Sequence, residues 1–156
     1  MADHPFASSL AMHKEFFLRS IACFRPADAG FAPAEGMFTV AGQIAHAALT
    51  VDWFVAGAFC PAGFDHDFAA HEAAARRVTA LDQAVSRFSA SYDAASARFA
   101  ATSMAELQIP ITAGPIMGGA PRLAVVEAMA DHTAHHRGAL TVYARLLGLK
   151  PAMPYA

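Results

Sequence analysis

"VTALDQAVSRFSASYDAASARF", residues 78–99, places Val78, Leu81, Val85, Phe88, Tyr92, Ala95 and Phe99 at alternating steps of three and four. A chain winding 3.6 residues per turn gathers such positions into one apolar stripe, the seam by which a helix packs against others. The helical pattern around this seam runs from about Asp67 to Thr102, a length at which a break is expected, and we expect it near His71. Three further segments read as helices. Ser8 or Ser9 can cap the first, which carries Phe16, Phe17, Ile21 and Phe24 and is stopped by Pro26 and Gly30. Thr39 can cap another, through about Ala58, with two apolar faces and therefore largely buried. The last starts after Pro121 and ends at Gly148 and Pro151. "LQIPITAGPIMGG", residues 107–119, breaks the helical pattern with prolines and glycines and predicts an extended excursion or a short hairpin. Four long helices without a convincing strand set predict an all-α protein, a four-helix bundle forming a single domain over residues 1–156.

Composition narrows the function classes. The net charge of −2 gives no basic stripe for nucleic acid. The longest apolar stretch, Gly36 to Val51, is interrupted by Gln43 and His46 and falls short of the ~20 residues of a spanning helix, so no membrane partner is expected. The first residues, with Asp3 and no basic region ahead of an apolar core, do not resemble a signal peptide. Cys23 and Cys60 form no CxxC pair, which predicts a reduced, cytoplasmic protein. An apolar fraction of 56% against 15% charge leaves apolar surface to cover, and a homodimer is the commonest closed solution.

Chemistry concentrates in "ADHTAHHRGAL", residues 130–140, with three of the eight histidines. His132 and His136 are one helical turn apart. They share a stripe with Val125, Met129, Leu140 and Tyr143, so both rings aim at the core. An unpaired buried polar group costs ~1–3 kcal/mol. A divalent cation satisfies both rings at once, although backbone carbonyls or water could also do so. His135, at the edge of the stripe, could replace His136 as a ligand, or could stand at the pocket rim. No HExxH pattern is present, so no glutamate stands beside these histidines as a general base.

A third ligand is needed, and His46 is the best candidate, mid-helix on an apolar stripe with no charged residue from Val40 to Val51. His4, His13, His66 and His71 read as solvated or packing residues, with His13 and His71 as alternates. Trp53, Met129 and Tyr143 share the ligands' stripes and could wall an apolar pocket. Arg137 points about 100° away from His136. It is expected to pair with Asp131 or Glu127, or to grip an anionic substrate at the rim.

"HTAHHRGAL", running on to "ARLLGLKP", resembles the C-terminal helix of the DinB family, and "TVAGQIAHAALTVDWF" resembles that family's second helix. The family includes YfiT-like and thiol-transferase enzymes. The resemblance implies a four-helix bundle with up-down-down-up connectivity and a divalent metal, often nickel or zinc, held by three histidines. Carried onto this chain they are His46, His132 and His136. Ala139 stands where the family often has Gln, so a pocket hydrogen bond from that Gln is missing. Three imidazoles leave coordination positions open, which is the layout of a catalytic metal. Two enzyme readings follow: hydrolysis, or transfer of a low-molecular-weight thiol to a small-molecule substrate. The alternative is a non-catalytic metal-dependent protein that binds a small molecule or serves a stress response. Imidazoles with an ordinary pKa of about 6.5 predict metal affinity falling steeply between roughly pH 7 and pH 5, with up to three protons taken up per ion released.

Overall fold

The computed structural model describes residues 5–155. They form six α-helices and no β-strand: α1 (Pro5–Ile21), α2 (Val40–Phe59), α3 (Phe68–Arg76), α4 (Leu81–Ala100), α5 (Met104–Leu107) and α6 (Ala124–Leu146). None of these helices is long and apolar enough to cross a membrane.

The four long helices pack around one apolar core. α1 lies against α4 and α6, and α2 lies against the same two. The seam read from the sequence is where α4 meets its neighbours: Phe88, Tyr92, Ala95 and Phe99 are all buried. Phe17 of α1 stacks on Phe88 with ring centroids 4.0 Å apart. A large aromatic or aliphatic side chain withdrawn fully from water contributes ~1.5–3 kcal/mol. Lys14 meets Asp93 at 2.7 Å, Arg87 meets Asp52 at 2.6 Å, and Gln43 meets His136 at 2.7 Å.

Helix ends follow local chemistry, and some differ from the sequence reading. The first helix starts at Pro5, a residue suited to the first turn, so Ser8 and Ser9 lie inside it. It stops at Ile21, because Arg25, preceding Pro26, is held extended (φ −106°, ψ 161°) and the chain turns into a 3-10 turn at Pro26–Asp28. Thr39 caps α2 as expected, its hydroxyl accepting from the Gly42 N–H at 3.0 Å. The long third pattern does break, but not near His71. That residue sits within α3, and the interruption spans residues 77–80, between two separately formed helices. Asp67 caps α3 by accepting from Ala70 N–H, while Ala80 holds an extended backbone ahead of α4. The β-branched pair Val78–Thr79 at the gap has less to lose outside a helix than Ala or Leu would. Residues 109–122 form a short hairpin-like excursion, with Ile111 N–H donating to Ala120 O and Arg122 N–H to Ile109 O. Pro121 belongs to that pairing, which delays the last helix to Ala124.

The short α3 contributes Phe68, His71 and Glu72 to the wall of a cavity. It packs against α2 and is tied down by Arg76, whose guanidinium donates to the carbonyl oxygens of Gly36 and Met37 and lies 4.5 Å from the Phe38 ring centroid. Gly57 on α2 lets the Phe64 ring rest directly on the helix backbone, since a Cβ there would overlap the ring. Phe64 in turn contacts Trp53, with centroids 4.6 Å apart. The chain between α2 and α3 is thus folded down along one flank of α2.

Candidate metal centre

His46 projects from the middle of α2, and His132 and His136 from successive turns of α6. One donor nitrogen from each lies within 4.8 Å of the others, so the three could hold a metal ion. Helical periodicity explains the convergence. The stripe on α6 is buried at Val125, Met129, His136, Leu140 and Tyr143 and half-buried at His132, which faces His46 across the helix contact.

Neighbours fix each ring. His46 stacks on Phe38 with centroids 5.1 Å apart, and His132 lies edge-on to Phe54 at 6.3 Å. Gln43, one turn before His46 and buried, places its side-chain amide 2.7 Å from His136 Nδ1. An amide that presents its nitrogen donates to Nδ1; one that presents its oxygen accepts from Nδ1–H and leaves Nε2 as a lone pair. That Nε2 faces His132 Nε2 at 3.0 Å. Two imidazole lone pairs do not face each other at that distance unless a proton or a cation lies between them.

Burial and mutual proximity keep these rings neutral. Desolvation, then the charges of His132, His46 and His135, pushes His136 down to about 3. Desolvation, then His46 and His135, pushes His132 down to about 4. His46 is also lowered, chiefly by burial, with Glu72 opposing the shift. Neutral imidazole is the form that binds metal. His132 Nδ1 is buried without a hydrogen-bond partner, a cost that packing alone does not explain. The donor set and this orphaned atom fit a divalent cation of the zinc type.

Beside the three rings opens a cavity of about 310 Å³ whose walls include Phe38, Leu49, Trp53, Phe54 and Phe68. His46 and His132 form part of its lining, together with Thr50 of α2 and with His71 and Glu72 of α3. Of the residues singled out from the sequence, His46, His132 and His136 come together and Trp53 lines the cavity. Met129 and Tyr143 are buried in the core, Tyr143 edge-on to Phe31. His135 is exposed, its ring packed edge-on against His136. Arg137 turns away from the cavity toward α1, 5.8 Å from the ring centroids of Phe16 and Tyr155, and not toward Asp131 or Glu127. His13 lies on that same side, beside Phe16; His66 is exposed; His4 lies outside the described residues. Gln43, Phe38, Phe68 and Glu72 were not singled out. Gln43 did carry a signal, as the polar residue one turn before His46 in an otherwise apolar run.

No curated protein matches the chain. The family model of the DinB superfamily matches residues 12–140, a span that contains His46, His132 and His136. The chain belongs to the DinB superfamily.

Proposed function

We propose that the chain is a divalent-metal-dependent enzyme of the DinB type, a hydrolase or low-molecular-weight-thiol transferase acting on a small apolar molecule. The observation that carries this reading is the placement of His46 and His132 on the wall of an aromatic-lined cavity, with His136 directly behind them. His46, His132 and His136 would hold the ion, nickel or zinc. When bound, it supplies Lewis acidity that makes a nearby O–H or S–H group more acidic. The chain's own residues do the rest. Gln43 and Phe38 fix the ring orientations, and the aromatic walls exclude water and bind apolar substrate surface. A volume near 310 Å³ lies at the small end of the range for ligand pockets, about 300–1,000 Å³.

The wider reading is one domain, residues 1–156, folded as an up-down-down-up bundle. Contacts support those directions. Lys14–Asp93 and Phe17–Phe88 are what antiparallel α1 and α4 would give, and Asp52–Arg87 with Phe59–Phe99 fits parallel α2 and α4. Gln43–His136 with His46–His132 fits antiparallel α2 and α6. Cys23 and Cys60 are both free, which supports a cytoplasmic location. Val142 and Leu146, one turn apart on α6 and 54% and 61% exposed, support a homodimer. Light scattering is expected to give twice the 16.4 kDa chain mass; 16.4 kDa at all concentrations would refute the dimer.

The deciding experiment uses protein prepared without a histidine tag, supplied with excess zinc or nickel and dialysed. We expect one ion per chain by elemental analysis. The loaded form is expected to turn over either 4-nitrophenyl esters or thiol–electrophile pairs such as monochlorobimane with cysteine, and the apo form neither. Metal far below one per chain defeats the reading. Full metal with no turnover of either class hands it to a binding protein.

A further inference from the structure

The three central histidines supply no general base, because each offers its lone pair to the same point. A fourth histidine lines the same cavity from a different helix. His71, on α3, lines the 310 Å³ cavity and also an adjoining one of about 320 Å³ that includes Asp52, Cys60 and Asp65. Leu49, Trp53 and His71 are common to both, so His71 stands at the partition between them.

Its orientation is built by the loop ahead of α3. His71 Nε2 lies 3.0 Å from Asp65 Oδ2. Asp65 is itself held at three points: its Oδ1 accepts from the Asp67 N–H at 3.0 Å, its Oδ2 meets His71, and its carbonyl accepts from Trp53 Nε1–H at 2.8 Å. The Asp67 N–H bond, followed by His71 and His66, keeps the Asp65 carboxyl below the ordinary carboxylate range. An ionised carboxylate only accepts, so the proton of neutral His71 resides on Nε2 and Nδ1 is a lone pair. Nδ1 has no hydrogen-bond partner among the described residues.

We propose that His71, oriented by Asp65, is the proton-transfer residue of this site. The proposal rests on the cavity being the substrate site. Nδ1 takes the proton of an S–H or O–H group in the cavity, that of a bound thiol or of the water that attacks an ester. The Nδ1–H bond forms as that bond breaks, the electron pair stays on sulfur or oxygen, and the resulting imidazolium keeps its Nε2–H on the Asp65 carboxylate. Asp65 is a positioning residue: it sets the tautomer and stabilises the charge.

4-Bromophenacyl bromide, an apolar aromatic alkylating agent, is a probe for such a lone pair. Nδ1 displaces bromide, an N–C bond replaces C–Br, and the alkylated ring keeps its Nε2–H toward Asp65. The zinc-loaded protein is treated at pH 7 and the adduct located by peptide mass mapping. We expect alkylation at His71 at least tenfold faster than at exposed His66, and a severalfold slower reaction at His71 in Asp65→Asn, where the amide no longer fixes the tautomer. Equal rates at His71 and His66, or no effect of Asp65→Asn, would overturn the proposal. In turnover of 4-nitrophenyl esters or of cysteine with monochlorobimane, His71→Gln should lower kcat about 100-fold or more with KM nearly unchanged, the usual scale of a lost general base. Unaltered kcat would also overturn it. The metal reading fails on a different signal: alkylation of His46 or His132 in the zinc-loaded protein, where the ion should protect both.

Discussion

His132→Leu is expected to lower zinc affinity at least about 100-fold while leaving helical content unchanged. Outer partners of a metal ligand typically change affinity 10–100-fold, and removal of a ligand exceeds that. His132 gives one of three donor nitrogens and carries a buried Nδ1 with no partner. For the apo fold, two effects oppose each other. Leucine removes the orphaned Nδ1 but leaves His136 Nε2 without its 3.0 Å neighbour. Each unsatisfied buried group costs ~1–3 kcal/mol, so the net change without metal should be within about 1 kcal/mol. With metal the two proteins separate. An ion at a thousand times its dissociation constant stabilises the parent by about 4 kcal/mol, roughly ten degrees in Tm for a chain of this size. The variant should show almost none of that shift. Gln43→Leu should fall between, losing about 10–100-fold in affinity, because it alters only the group that turns His136. His71→Gln should bind zinc like the parent. Thermal melts with and without zinc, alongside competition with a chromogenic chelator, read the whole series. A zinc-dependent rise in Tm that survives in His132→Leu would mean that the ion sits elsewhere.

The legible parts of this protein are those written in local periodicity. The α4 seam and the α6 stripe each need only 3.6 residues per turn to be read; Phe88, Tyr92, Ala95 and Phe99 and most of the α6 stripe are buried, while Val78, Leu81, Val85 and His132 are half-buried. HxxxH and the isolated His46 sit on such stripes, which is why the three rings could be named before their meeting was visible. What the sequence hid is set by tertiary contact. The gap at residues 77–80 carries no proline or glycine, and the β-branched pair Val78–Thr79 marks it only weakly. It follows from α3 packing on α2 while α4 packs on α1 and α2. Once α3 lies there, Phe68, His71 and Glu72 face the site, although in sequence they are an exposed aromatic and two polar residues after an acidic loop. Arg137 shows the same limit in reverse. Its nearest acidic residues along the chain suggest a partner, but the rings of Phe16, far away on α1, and of Tyr155, beyond the end of α6, claim it.

The pH dependence is where the structure changes the expectation most. Imidazoles with ordinary pKa values would lose metal steeply between about pH 7 and pH 5, taking up as many as three protons. In the folded chain, burial and mutual repulsion hold His132 to about 4 and His136 to about 3, and His46 below its usual value. The competitor for the metal is then nearly absent, and the logarithm of the association constant should be almost flat from pH 8 to about pH 6. The unfolded chain keeps the ordinary value near 6.5. Below that pH it binds protons the folded chain refuses, so stability is fully present above 6.5 and declines as pH falls toward the folded values. Each histidine contributes at most about 1.4 kcal/mol per pH unit, less where it is partly solvated, so the sum over two units is on the order of a few kcal/mol. That is a large share of the roughly 5–15 kcal/mol that stabilises a typical domain. Acid should therefore release the metal by unfolding the chain, not by titrating an intact site. Far-UV circular dichroism and a metal-sensitive dye, followed together from pH 8 to pH 3, should show one coincident transition below about pH 5. Stepwise release above pH 6, with the helices intact and a slope approaching three, would show that these histidines titrate as though exposed.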